Sequence, residues 1–314
     1  MQNDNISCFA RKKTFSGGKS WLFFVLLVTL VFVIYPKYGR AVEIWVSASD
    51  ADAPVLNAEA AILYSVTNDS ILFEKNAAQP LEPASLTKLL TVLTAYANEG
   101  ESIRYTVGNE IDLIGSNSST AHLRKGNILS FEAIMDAVLL SSGNDATYTL
   151  AVSVARAVAK KSLTDTEALA YFAELMNESA AALGCEDSHF VTVDGYPNEA
   201  HYASASDLLR IAIEALNTPA IAKSMARSRA YHVFFSGREV MWENSNLLLK
   251  KDSPYYYPLA TGMKTGSTGK KYSLAASAQK EDSLWIAIVL SASGDEVRFQ
   301  DAITLFEAAW KQEE

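Results

Sequence analysis

Cysteine is nearly absent: Cys8 and Cys185 are the only two among 314 residues. Cys8 precedes the one long apolar run and Cys185 lies far beyond it, so the portion after that run has no internal disulfide to draw on. Cys8 is also misplaced for a lipoprotein acylation site, and Cys185 reads as a small buried hydrophobe. Histidine is sparse too. His122, His189, His201 and His232 show no His-Glu-x-x-His spacing, which argues against a zinc peptidase, and no metal or other cofactor is expected. No Gly-x-Ser-x-Gly elbow occurs, and no histidine has a readable Ser-His-Asp setting. Positive charge is in deficit: after residue 49, 21 Lys and Arg stand against 34 Asp and Glu. That balance argues against nucleic acid as a partner and makes this part of the chain a poor binder of anionic lipid. No internal repeat or low-complexity tract is present.

The single apolar run extends from Trp21 to Tyr35, preceded by Arg11, Lys12, Lys13 and Lys19 and closed by Pro36. This is the layout of a secretory signal or a signal anchor. As a helix, 15 residues reach about 22 Å, short of the roughly 30 Å hydrocarbon core, which favours a cleaved signal. Gly39 with Ala41, or Val46 with Ala48, offer cleavage sites, while Trp21, Tyr35 and Tyr38 suit the interfacial anchors of an uncut helix. Both outcomes stay open. The basic excess before the run keeps the N-terminus cytoplasmic in either case. Residues 1–49 are therefore expected to be a basic flank, signal or anchor and linker, and 50–314 one extracytoplasmic domain, secreted or held to the membrane by residues 21–35.

The domain's pattern predicts strands at 58–66 and 71–74 joined by Thr67-Asn68-Asp69-Ser70, a hairpin by its turn chemistry. A helix follows from Pro83 to Tyr96, and further helices are predicted over 131–140, 145–159, 167–183 and 206–216. Strands at 273–278 and 284–291 flank a polar turn, and a closing helix covers 301–311. Strands at both chain ends with helices between them imply an α+β fold: one antiparallel sheet assembled from the two ends, flanked by helices, with a helical insert. A second, C-terminal β-domain is not expected after the closing helix.

Three short motifs carry chemistry: Ser85-Leu-Thr-Lys88, Ser142-Gly-Asn144 and Lys264-Thr-Gly266. Ser-x-x-Lys alone says little, because it also begins at Ser16, Ser267 and Ser277. Only Ser85 opens a long apolar helix, where a spacing of three puts serine and lysine on one face. A serine hydroxyl is a poor nucleophile without a base, and without a suitable histidine Lys88 is the remaining candidate. A free lysine titrates near 10.4, so bringing it to about 7 means destabilising its ammonium by roughly 4 to 5 kcal/mol. Burial, the positive end of the helix and a nearby Lys264 all act in that direction. Each motif also has a plainer explanation: a helix cap with a surface lysine, a cap by Asn144 or Asp145 at a helix break, and a glycine-rich turn. Their joint occurrence in this order is much harder to ascribe to chance.

With its flanking words Glu74-Lys75-Asn76, Pro83-Ala84-Ser85-Leu86-Thr87-Lys88, Ser142-Gly143-Asn144-Asp145-Ala146, His201-Tyr202 and Gly262-Met263-Lys264-Thr265-Gly266, the chain resembles the D-alanyl-D-alanine carboxypeptidase family of low-molecular-weight penicillin-binding proteins over roughly residues 55 to 311. The resemblance implies a DD-peptidase/β-lactamase-like fold and a serine acyl-transfer reaction on the D-Ala-D-Ala end of peptidoglycan pentapeptide stems. Ser85 would be the nucleophile, Lys88 the base and Ser142 the proton shuttle. Asn144 would bond a substrate amide, Lys264 and Thr265 the terminal carboxylate, and the backbone N–H groups of Ser85 and Ser267 the oxyanion. Gly266 would let substrate approach the backbone. β-Lactam antibiotics should acylate Ser85.

Some features depart from that pattern. Ser267 to Tyr272 lacks the Ala-Gly usual after the third motif and is a residue short. Ser206 stands where some relatives carry arginine, which shifts attention to Arg298 as a carboxylate ligand. Tyr255-Tyr256-Tyr257 is either a cleft lining or a packed loop. Two alternatives remain: a β-lactamase, for which Glu174-Leu-Met-Asn177 is a loose echo of the required glutamate, and a peptidoglycan-binding relative without turnover.

Overall fold

A computed structural model describes residues 54–98 and 102–313. The expected basic flank, apolar run and most of the linker lie outside the described residues, among which no helix is long and apolar enough to cross a membrane. In chain order the elements are β1 (Ala60–Ser65), β2 (Ser70–Lys75), a 3-10 turn (Ala84–Leu86) running into α1 (Thr87–Ala97), β3 (Tyr105–Thr106), β4 (Ile128–Leu129), α2 (Phe131–Leu139), α3 (Asn144–Ala159), α4 (Asp165–Ala182), α5 (Ala205–Asn217), α6 (Pro219–Met225), β5 (Arg229–Val233), β6 (Glu239–Glu243), β7 (Ala260–Ser267), β8 (Tyr272–Lys280), β9 (Ser283–Ala292) and α7 (Val297–Glu313).

The main sheet is antiparallel in the order β2-β1-β9-β8-β7. The first and last strands of the described residues therefore pair as β1–β9, where Ala60 lies opposite Leu290 and Ser65 opposite Trp285. Both faces of this sheet are covered, which is why β9 reads as an almost unbroken apolar run rather than an alternation. Ile62, Ile286, Ile288 and Leu290 point into the helical body, while Ala61, Leu63, Trp285, Ala287 and Val289 pack with Phe299, Leu305, Phe306 and Trp310 of α7. Tyr257 belongs to this second core, with its hydroxyl on Glu307 and stacked on Phe306, and Tyr255 stacks on Phe299. The tyrosine run is thus a packed loop.

The helical body surrounds α1, whose residues Thr87 to Ala95 are all buried. A helix apolar on every side would need no polar partners, but this one carries Thr87, Lys88, Thr91 and Thr94 into the interior. Each is tied to a neighbour: Thr91 Oγ1 donates to the Val193 carbonyl at 2.6 Å and Thr94 to Ser179 Oγ at 3.1 Å, as burial of hydroxyls requires. α4 is started by a full capping box, Thr164 with Glu167. The expected helices and hairpins fall within a few residues of the observed ones. The third motif does not sit in a turn: it lies in the C-terminal half of edge strand β7, whose glycines and lysine hide the period of two.

Candidate active site

The three motifs converge beneath the edge of β7. Ser85 lies in the 3-10 turn that feeds α1, and the residue before it, Ala84, is held at φ 49°, a left-handed conformation that non-glycine residues seldom adopt. One turn on, Lys88 is wholly buried. Its Nζ donates to Ser85 Oγ at 2.7 Å, to Asn144 Oδ1 at 2.7 Å and to the Asp194 carbonyl at 2.9 Å. Three acceptors match the three protons of an ammonium; loss of one leaves a lone pair for the Ser85 hydroxyl proton.

Asn144 is the first residue of α3, carried there by a break after α2 in which Ser142 takes φ 57°. The Asn144 amide is oriented from the far side, Nδ2 donating to Ser118 Oγ at 2.9 Å. Asp145 accepts from the Ala121 and Leu123 N–H groups at 2.7 and 2.8 Å and so pins the segment that brings Ser118 there. Gly143 packs so closely that an added Cβ would lie 2.7 Å from the Ala121 nitrogen.

β7 approaches the Ser85 turn directly. A Cβ on Gly266 would meet the Pro83 carbonyl at 3.0 Å and the Leu86 nitrogen at 3.3 Å, so glycine lets the strand lie against the Ser85 turn. Lys264 is wholly buried, its Nζ donating to the Thr265 carbonyl at 2.9 Å. Thr265 Oγ1 is 2.6 Å from Ser245 Oγ. Ser267 ends the strand in an exposed position, accepting from the Gly269 N–H at 3.0 Å. Arg298, at the start of α7, donates to the Gly266 carbonyl at 2.7 Å and to that of Ser273 at 3.3 Å, and pairs with Asp295.

Burial sets the electrostatics. It lowers Lys88 to about 8 against the opposing pull of Asp194 and Asp145. It pushes Lys264 well below its ordinary value, with the nearby charges of Lys88 and Arg298 adding to the effect. Burial thus favours a neutral amine beside Ser85, and at Lys264 the neighbouring charges of Lys88 and Arg298 act in the same direction as burial.

Sequence reasoning gave the segment 191–200 no role and named His201 only within a family word. The segment's Asp194 carbonyl receives Lys88, its Val193 carbonyl receives Thr91, and His201 holds Thr87, the residue inside the first motif, through Nε2 at 2.9 Å. The Val191 and Thr192 N–H groups donate to His201 Nδ1 at 3.1 and 3.2 Å, so the proton sits on Nε2 and Thr87 accepts it. Gly195, at φ 78°, packs on Ala84. The Asp-Gly pair was the available signal for a tight turn here, but nothing local tied it to the motif. Ser118 and Ser245 carried no signal. Glu174 is exposed on α4, and Asn177 bonds Phe190 through both side-chain atoms. Among the described residues no group of three or more His, Cys, Asp or Glu is arranged to hold a metal ion.

The fold is of the DD-peptidase type, and it sets Ser85 beside a buried lysine. The chain belongs to the D-alanyl-D-alanine carboxypeptidase family, Peptidase S11, whose model matches residues 47–294. It is 29% identical over 261 residues to D-alanyl-D-alanine carboxypeptidase DacF of Bacillus subtilis, an alignment covering 82% of this chain and 63% of that one. To DacC of Escherichia coli it is 31% identical over 263 residues, covering 80% and 60%. The chain thus spans less than two thirds of the length of these relatives. The crystal structure of the Streptomyces K15 DD-transpeptidase superposes with a TM-score of 0.74 at 25% identity, covering 82% of this chain and 98% of that one.

Proposed function

We propose that this protein is a serine D-alanyl-D-alanine carboxypeptidase acting on peptidoglycan stem peptides outside the cytoplasm. The observation that carries the reading is the 2.7 Å contact between Ser85 Oγ and the nitrogen of a wholly buried lysine. Burial lowers that lysine to about 8, so that a sizeable fraction is neutral near neutral pH and can serve as a general base.

Ser85 Oγ attacks the carbonyl carbon between the two terminal D-alanines while its proton passes to Lys88. The Ser85 and Ser267 N–H groups receive the negative oxygen, each such donor contributing about 2.7 to 4 kcal/mol. Lys88 returns the proton through Ser142 to the leaving amine, the C–N bond breaks, and D-alanine departs from a Ser85 ester. Water then adds to the ester and restores the hydroxyl. Asn144 bonds a substrate amide, Gly266 allows close approach along β7, and Lys264 with Thr265 holds the terminal carboxylate. The depressed Lys264 supports this last assignment, because an arriving anion restores its charge. Arg298 acts behind the strand, fixing the Gly266 carbonyl and adding positive potential. β-Lactams acylate the same serine. Export or anchoring is assigned to residues 21–35.

Release of D-alanine from a pentapeptide ending in D-Ala-D-Ala tests the reading, with Ser85→Ala as control. Turnover unaffected by Ser85→Ala, or no labelling of the folded protein by a fluorescent penicillin, would overturn it. Nitrocefin turnover comparable to peptide turnover would move the assignment to a β-lactamase. The Streptomyces K15 protein is described as a DD-transpeptidase; adding an amine acceptor to the assay reads whether the ester is also passed to nitrogen.

A further inference from the structure

Asp194 is 1% exposed, and its backbone carbonyl is one of the three acceptors around Lys88 Nζ. Its side chain is unusual for so deep a position. Oδ1 accepts from the Tyr196 N–H at 3.0 Å, whereas Oδ2 is shielded and has no hydrogen-bond partner among the described residues. A buried carboxylate is costly unless paired, and one left without a cation or a full set of donors exerts its field over neighbouring groups in a low-dielectric interior.

The groups facing Lys88 come from several elements. α3 supplies Asn144 and Asp145, β7 supplies Lys264 with Arg298 behind it, and the 191–201 segment supplies Asp194, with Tyr148 and Tyr196 close to its carboxylate. The two anions differ in kind. Asp145 is committed to the N–H groups of Ala121, Leu123 and Ala146. Asp194 retains an unused oxygen, and its pull on the Lys88 proton is the stronger of the two.

We propose that Asp194 is a positioning residue for Lys88: its carbonyl aims the amine at Ser85, and its unpaired carboxylate keeps that amine a strong base, setting the pH at which it gives up its proton. This rests on the serine–lysine reading above. The carboxylate touches no reacting atom; it acts through Lys88. It also imposes a compromise, since a stronger base takes the serine proton more readily but is free only at higher pH.

The test is the rate of acylation by a fluorescent penicillin from about pH 5 to about pH 10 for the full chain and its Asp194→Asn and Asp194→Glu variants. Asp194→Asn keeps the backbone carbonyl and removes the charge. The acid limb should move down by about half a unit or more, and the high-pH plateau should fall. Asp194→Glu should return the midpoint towards wild type. A midpoint unmoved in Asp194→Asn, whatever the overall rate, overturns the inference, because a merely structural defect lowers the rate alike at every pH. If Asp194→Asn lacks a cooperative melting transition, Asp194→Ser carries the same test. Absence of Ser85-dependent labelling in the wild type at every pH overturns the serine–lysine reading itself, and the inference with it.

Discussion

Lys88 Nζ stands 2.7 Å from Ser85 Oγ and equally close to Asn144 Oδ1, so Ser85 and the second motif share one nitrogen. An amine in this position takes the serine proton only when neutral, and burial places that change at about pH 8. Acylation by penicillin should therefore rise with pH through about 8 and level off above it. Lys88→Met, which keeps the length and removes both charge and basicity, should slow acylation by about 10²- to 10⁴-fold while the protein still melts cooperatively. Stopped-flow acylation across the pH range checks both; a flat profile between pH 6 and 9 in the wild type would sink the assignment of Lys88 as base.

Thr265 and Ser245 share a hydroxyl contact of 2.6 Å. A hydroxyl has one proton, so if Thr265 gives its proton to a substrate carboxylate it must accept the proton of Ser245. Ser245 is held for this by its own backbone, whose N–H donates to the Leu140 carbonyl at 3.0 Å. Ser245→Ala leaves Thr265 free to turn away. The expected result is a KM for the D-Ala-D-Ala peptide raised by roughly fivefold, about 1 kcal/mol, with a smaller change in kcat. Steady-state kinetics on the pentapeptide decide it, and an effect confined to kcat would argue against the role.

Much of this arrangement is legible in the chain because its signals are local. The Thr67 to Ser70 turn, the apolar spacing of α2 to α5 and the two C-terminal strands each announce themselves over a handful of residues. The motifs Ser85 to Lys88 and Ser142 to Asn144 stand out because helix boundaries fall beside them. β7 does not, since Gly262, Lys264 and Gly266 erase its alternation; its path is set by the Pro83 to Leu86 backbone, which lies some 180 residues earlier in sequence. The 191–201 segment has no period at all, and what defines it are contacts to α1 across about a hundred residues. Arg298 was legible as a cation but not in its commitment to the Gly266 and Ser273 carbonyls.

Gly195 marks where that silent segment meets the Ser85 turn, at Ala84. At φ 78° an added Cβ would lie 1.9 Å from the Ala84 carbonyl oxygen and 2.4 Å from its carbon, so both backbone strain and a backbone clash oppose any side chain. Gly195→Ala should cost more than about 2 kcal/mol and slow acylation as well, because Ala84 immediately precedes Ser85. Gly126→Ala is the control: it has a similar φ of 85° with nothing within 4 Å. Strain alone there should cost about 1 to 2 kcal/mol and leave acylation unchanged. Equal effects of the two substitutions on urea midpoint and acylation rate would show that the contact with Ala84 carries no special weight.

His201 makes the stability of the same region depend on pH. Burial, with His189 adding to it, lowers its pKa to about 4, while an unfolded histidine titrates near 6.5. The neutral ring is the form that fits, because Nδ1 is already accepting from Val191 and Thr192. Below about pH 6.5 the unfolded chain binds a proton that the folded one refuses, so acid favours unfolding. This contribution is fully present above about 6.5, declines as pH falls towards about 4 and is exhausted below that, with a total on the order of 3 kcal/mol. His201→Gln retains an acceptor and a donor but does not titrate. Urea unfolding of wild type and His201→Gln between pH 4 and 7 should show the wild type losing stability relative to the variant as pH falls. A stability difference constant across that window would mean that His201 is not the group responsible.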